Sequence, residues 1–239
     1  MEHSEVPGER VVRIARCDIS AVEQPWPFAI ECASAIDTHW QRRMVSNPAF
    51  FNGRILMLAA HQWTPDGFSG QCFETGFKDF LYWRETGEPD AGVMDVFGSA
   101  LIWSSDGGVM LGRQRTGHIN AGLAYLPGGF IDPRDVGAGG RIDIAASTAR
   151  EAEEETGLSA EALAQVPGFI LTCRPKQISI GVAYRSPMTA KALREQVMAH
   201  LAADPASELA EIIMVRRKSD LDGLAMVPFA RLLLTTLLP

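Results

Sequence analysis

The residues with the clearest chemical meaning lie in one short run, Arg150-Glu-Ala-Glu-Glu-Glu-Thr-Gly-Leu158, which carries Glu151, Glu153, Glu154 and Glu155. On a helix, residues three and four apart are neighbours. Glu151, Glu154 and Glu155 therefore share one face, and Glu153 points away. Three like charges on one face repel, each close pair at a cost of roughly 0.2–0.5 kcal/mol. A bound divalent cation reverses that sign, and an oxygen-only donor set suits Mg²⁺ or Mn²⁺. Taken alone, a Glu-rich run is usually a solvated helix face. The setting argues for chemistry instead: a Pro127-Gly128-Gly129 turn precedes the run, Arg150 opens it and Gly157 closes it.

The elements that must position these carboxylates are read from patterning. A helix is predicted over 144–156, with Asp143 as N-cap and Gly157 as the residue that ends it. Residues 95–103 read as a strand, Ser104-Ser-Asp-Gly-Gly108 as a hairpin turn, and 109–115 as the partner strand. Further strands are expected at 169–173, 178–184 and 212–215, and helices at 193–201 and 228–234. Upstream, 11–17 alternates as a strand and 54–63 is an apolar strand. Residues 34–46 form a helix with Ile36, Trp40 and Met44 on one face and Ser34 as N-cap, and 77–85 form a short helix. The stretch 85–92 is dense in turn formers. It divides the chain into an N-terminal α+β extension or lobe, 1–92, and a second domain, 93–239. Strands and helices mixed in this order predict an α+β layered fold.

Composition sets limits on the partner. The chain has 239 residues and a formal net charge of −7, which argues against a nucleic-acid polymer, whose phosphates need clustered Lys and Arg. A small phosphorylated substrate remains open, held by a few local cations and by metal. Cys17, Cys32, Cys72 and Cys173 match no zinc spacing. Scattered thiols fit a reducing compartment. The polar start shows no signal-peptide core, and no apolar stretch is long enough to span a bilayer. The expectation is a cytoplasmic protein that does not engage membranes. The oligomeric state is open, a homodimer being one option.

The run Arg-Glu-x-x-Glu-Glu-x-Gly-apolar after a Gly-Gly turn resembles the Nudix box, and the chain is identified as a member of the Nudix hydrolase superfamily. The resemblance implies an α/β/α sandwich with a mixed sheet over 93–239 and a metal-dependent pyrophosphohydrolase using Mg²⁺ or Mn²⁺. Glu151, Glu154 and Glu155 would bind metal, with the Gly128 carbonyl as a further ligand, and Arg150 would pair with helix carboxylates. Glu154 or Glu155 would take the proton of the attacking water. The first half of the box departs from the family pattern. Past five residues from Gly129 stands Asp135 rather than glutamate, with Asp132 as another stand-in, and fourteen residues rather than seven separate Asp135 from Arg150. The excess, around 136–141, reads as an inserted loop.

The family often adds an acid just before a later apolar strand. Here Glu208 is favoured for that place among the metal ligands, with Glu211 in reserve. Arg113 and Arg115 leave a strand near the box and are candidates for phosphate contacts, because a guanidinium holds two phosphate oxygens at once. The same region is faintly similar to the coenzyme A diphosphatase signature. The long N-terminal extension and the insertion within the box look more like the subgroup that cleaves UDP-sugars. The expected substrate is thus a nucleoside diphosphate derivative such as a nucleotide sugar, with coenzyme A or a dinucleotide as alternatives. A Nudix module that binds a nucleotide ligand with little catalysis is the competing reading, and the altered first half of the box favours it. The five tryptophans are expected to be anchors, though one could stack on a base.

Overall fold

Residues 8–239 are described by a computed structural model. Residues 1–7, most of the polar start, lie outside the described residues. In chain order the elements are β1 (Arg10–Ile14), β2 (Arg16–Val22), α1 (Pro27–Glu31), α2 (Ala33–Ser46), β3 (Arg54–Trp63), β4 (Gly67–Gly76) and α3 (Phe77–Glu85). After the turn-rich stretch follow β5 (Asp95–Trp103), β6 (Val109–Gln114), β7 (Ala124–Tyr125), β8 (Arg141–Ile142) and α4 (Ile144–Thr156). The chain ends through β9 (Ala164–Gln165), β10 (Phe169–Arg174), β11 (Gln177–Arg185), α5 (Ala190–Ala203), β12 (Leu209–Val215) and α6 (Pro228–Leu237).

The main sheet is mixed, in the order β1-β10-β11-β5-β6-β12, with β7 on β6 and β9 on β11. Its centre is the parallel pair β5 and β11. Both strands are buried along almost their whole length, as a sheet covered on both faces requires. Helix α4 covers one face, where Gly98 leaves room for it: a Cβ there would stand 2.5 Å from Thr148 Oγ1. Helix α6 covers the other, its Phe229 ring edge-on to Phe97 at 4.9 Å. The result is an α/β/α sandwich of the α+β class, as expected.

A second sheet, β3-β4-β2-β8, is built mainly from the first segment of the chain. The two sheets exchange strands across the boundary read at 85–92. β1 joins the large sheet beside β10, and β8, from the loop before α4, joins the small sheet beside β2.

Two local expectations are corrected. Residues 11–17 are not one strand. The backbone N–H groups of Ala15 and Arg16 both donate to the Asp66 carbonyl, so the chain turns from one sheet to the other there. Ser34 does not cap α2. The cap residue is Cys32, with no side-chain bond, and Ser34 lies in the first turn with its carbonyl accepting from Thr38 Oγ1. β4 has no hydrophobic run that announces it. It is glycine-rich because its neighbours come close: a Cβ at Gly70 would stand 2.7 Å from Leu58 Cδ1.

The ends of α4 match their reading. Asp143 accepts from Ala146 N–H at 3.0 Å, and Gly157 takes the left-handed conformation at φ 68°. Removing the cap in Asp143→Ala is expected to lower unfolding free energy by about 1 kcal/mol. Urea denaturation checks this, with the midpoint shifting and the slope unchanged.

Candidate active site

A helix of 3.6 residues per turn puts Glu151 and Glu155 one turn apart on the inner face of α4. Glu155 is buried at 7% exposure. Its Oε1 accepts from the Tyr125 hydroxyl at 2.5 Å and its Oε2 from the Gly128 backbone N–H at 2.9 Å. Glu151 sits under Gly129, where a Cβ would stand 2.5 Å from its Oε2. Only glycine leaves that carboxylate its place. Glu154 shares the face less closely than expected. Its side chain is 53% exposed and lies beside Arg150 at 3.5 Å and Arg134 at 4.0 Å.

Arg150 organises the box. It pairs with Asp135 and with Glu151, each at 2.7 Å, and these partners hold its charge firmly. Asp135 stands where the family pattern has its first glutamate, and its side chain is only 3% exposed. Asp132 instead caps the turn that follows it, accepting from Arg134 N–H at 2.7 Å and pairing with the Arg134 guanidinium at 2.6 Å.

From the far side, Glu208 faces the same space as Glu155, with its Oε2 3.5 Å from His118 Nδ1. Glu211 does not, for it turns out to Arg113 at 2.8 Å. The expectation that Arg113 and Arg115 meet a phosphate is not met by their positions. Arg113 is taken by Glu211 and the Gly122 carbonyl, and Arg115 by the carbonyls of Leu209 and Pro205. The cations that line the cleft are Arg54, Arg84, Arg134 and Arg174. Patterning missed all four: Arg54, Arg84 and Arg174 come from β3, α3 and the end of β10, remote in sequence from the box, and Arg134 lies in the turn at 133–135.

The cleft has a volume of about 580 Å³ and brings together Glu151, Glu155, Glu208, Gly128 and Asp132. Its apolar wall is rich in phenylalanine, including Phe50, Phe77, Phe97, Phe130 and Phe229, with aliphatic residues such as Ile119 and Leu123. None of the five tryptophans lines it; Trp26 and Trp83 are buried anchors. Tyr125, the other unforeseen residue, lies two positions before Pro127. Its only signal is a polar tip on an aromatic in an otherwise apolar strand.

Burial pushes the Glu155 carboxyl up to about 8. Its two hydrogen bonds oppose this, while Glu208 and Glu151 add to it. Burial also raises Glu151, against the pull of Arg150. For Asp132 burial raises and Arg134 lowers, and the net direction is down. This concentration of carboxylates is costly without a counter-charge. Its oxygen-only chemistry fits a hard divalent cation. Among the described residues, no three His, Cys, Asp or Glu side chains are already drawn together as a closed metal cage.

The family model described as NUDIX domain matches residues 95–237. No curated protein matches the chain. Among solved structures, the fold is similar to a Nudix hydrolase from M. smegmatis, RenU, at 15% identity over 58% of this chain and 80% of that one, with TM-score 0.39. It is similar to the MutT protein from Methanosarcina mazei at 21% identity over 60% and 91%, with TM-score 0.38. A third is the NUDIX domain of Shewanella oneidensis NrtR complexed with ADP ribose, at 19% identity over 65% and 94%, with TM-score 0.38. Among the described residues no helix is long and apolar enough to cross a membrane.

The raised Glu155 carboxyl has a consequence for stability. The unfolded chain releases this proton near its ordinary value of 4.5, and the folded protein keeps it until about 8. Stability therefore falls as pH rises through that window. Asp95, raised to about 6, acts in the same direction at the lower end. In chelator-treated protein, the melting temperature is expected to drop between pH 5 and pH 8. The drop should be smaller in Glu155→Gln, and parallel curves for the two proteins would contradict this burial account.

Proposed function

The chain belongs to the NUDIX domain family and is a pyrophosphohydrolase, and from that premise we propose that this cleft cleaves the diphosphate linkage of a nucleoside diphosphate derivative, with Mg²⁺ or Mn²⁺ as cofactor. The observation that carries the reading is the placement of Glu155. It is a deeply buried carboxylate held by Tyr125 and Gly128 and turned toward Glu151 and Glu208 at one end of a cleft that arginines also line.

Glu151, Glu155 and Glu208 would hold the cation, with the Gly128 carbonyl as a further donor. When bound, the cation offsets diphosphate charge and lowers the pKa of water. The residues of the chain do the rest. Tyr125 and the Gly128 N–H fix the orientation of Glu155, and Arg150, tied to Asp135, fixes Glu151. With the cation bound, Glu155 or Glu208 would accept a proton at the reacting end. Glu154 lies outside the lining and is better placed to steady Arg150 and Arg134. Arg134 and Arg54 supply positive charge beside the acidic end, and the phenylalanine wall offers ring faces to a base or sugar. A nucleotide sugar or ADP-ribose has the required parts: a diphosphate flanked by two polar ring systems.

The test is a coupled phosphate-release assay over UDP-sugars, ADP-ribose, NADH, dinucleoside polyphosphates and coenzyme A, with Mg²⁺ and with Mn²⁺. Turnover on one class is expected, abolished by chelator and reduced at least ~10²-fold in Glu155→Gln, the lower range for a proton-transferring group. Glu208→Gln should fall with it, while Glu211→Gln stays within about twofold, since that carboxylate meets only Arg113 at the surface. Ligand-induced rises in melting temperature with no turnover of any class would replace this reading with a nucleotide-binding module.

A further inference from the structure

The end of the cleft away from Glu155 has its own polar set. Asp95 begins β5 beside Gln177, which begins β11, so the parallel register places the two side by side. The Asp95 side chain lines the cleft, yet the residue is only 7% exposed. Its Oδ2 accepts from Gln177 Nε2 at 3.0 Å. Among the described residues its Oδ1 takes no hydrogen bond, and it is not one of the enclosed atoms left without a partner, so this oxygen is open to the cleft. Arg84 and Glu88 reach the same end from α3 and the turn after it, and the Phe97 ring, two residues on from Asp95, lies on the same face of β5.

That mixture selects among ligand groups. A phosphate is excluded from the immediate vicinity of Asp95 by like charge from Asp95 and Glu88. A purely apolar group would leave Asp95 Oδ1 without a donor, which is costly in a buried place. A group that donates hydrogen bonds to a carboxylate and accepts them from an amide or a guanidinium matches. Neighbouring ring hydroxyls do both, and their C–H faces suit an aromatic floor.

We propose that Asp95 and Gln177 form a subsite for the vicinal hydroxyls of a sugar ring, ribose or hexose, carried on one side of the diphosphate. This rests on the reading of the cleft as a diphosphate site and names the part of the substrate that reaches its far end. Burial raises the Asp95 carboxyl to about 6, with Glu88 adding to the rise and Gln177 and Arg84 opposing it. The strongest hydrogen bonds a hydroxyl can donate go to a charged acceptor.

The test is calorimetric, on the Glu155→Gln protein with Mg²⁺, so that binding is read without turnover. UDP-glucose and ADP-ribose are compared with forms lacking one hydroxyl on the nucleoside ribose or on the distal sugar. Loss of one hydroxyl on one of the two rings is expected to weaken binding about tenfold or more, the size of a hydrogen bond to a charged group, and the ring affected identifies which sugar the subsite takes. In the added Asp95→Ala background that discrimination should fall to about one. Asp95→Asn, nearly the same shape, should show intermediate discrimination and an unchanged fold by circular dichroism. Equal affinity for hydroxyl and deoxy forms in the Asp95 protein overturns the subsite, even where the phosphate-release assay succeeds. Hydroxyl discrimination that depends on Asp95, in a protein whose parent turns nothing over, leaves the subsite standing and removes the hydrolase reading alone. If none of these ligands binds, both fall.

Discussion

The site depends on keeping one carboxylate out of water. Glu155 can stay buried only if donors reach both of its oxygens, and one of those donors is a backbone N–H in a loop. The loop must therefore lie flat on the sheet. It does so by running along β5: the Ala100 N–H donates to the Pro127 carbonyl at 2.7 Å and the Gly98 N–H to the Gly129 carbonyl at 3.3 Å. Gly128, at φ 149°, is pressed so closely that a Cβ would stand 2.3 Å from the Gly98 carbonyl oxygen. The opposite face of Gly98 receives α4. Helix, strand and loop are brought together through small residues so that a carboxyl group on the first meets an amide of the last.

Arg150 separates the like charges that this packing brings together. Tied to Asp135 and Glu151, it leaves Glu155 without a guanidinium partner. Burial and the carboxylates of Glu208 and Glu151 then act on Glu155 with only neutral donors to oppose them. The shorter side chain of Asp135 suffices because the turn at 133–135 brings its backbone close to α4. The inserted residues beyond are not slack. They return as β8 and pair with β2 through Ile142 and Ile19, which binds the small sheet to the start of α4.

Much of this was legible in the sequence because it is local. A cap such as Asp143, a left-handed glycine such as Gly157 and a four-residue helical repeat are set by neighbours in the chain. The preference for Glu208 over Glu211 came from the family pattern rather than from any local periodicity, and the cleft is lined by Glu208 and not by Glu211. The cleft as a whole was not legible. Tyr125, Arg84, Asp95 and Gln177 meet there only because β5 and β11 run parallel and α3, packed on β4, brings Arg84 to the same cleft, and such long-range registers leave no periodic trace. Arg113 and Arg115 misled for the same reason: their position near the box is sequential, while β12 alongside supplies the partners that occupy them.

The distribution of charge explains how a chain of net charge −7 can present a cleft to an anion. Net charge governs the distant field, but a bound group responds to charges within a Debye length, about 8 Å at physiological salt. Arg54, Arg134 and Arg174 each meet a carboxylate, from Glu74, Asp132 and Glu9, and their charge is partly cancelled. Arg84 is tied instead to the neutral Asn120 side chain, at 3.2 Å. It stands on α3, in the N-terminal part of the chain, and its charge acts on Asp95 at the same end of the cleft without a direct ion pair. The box gathers negative charge, and the first segment brings Arg54 and Arg84 to the same cleft. Neither segment alone has the polarity that the cleft has between them.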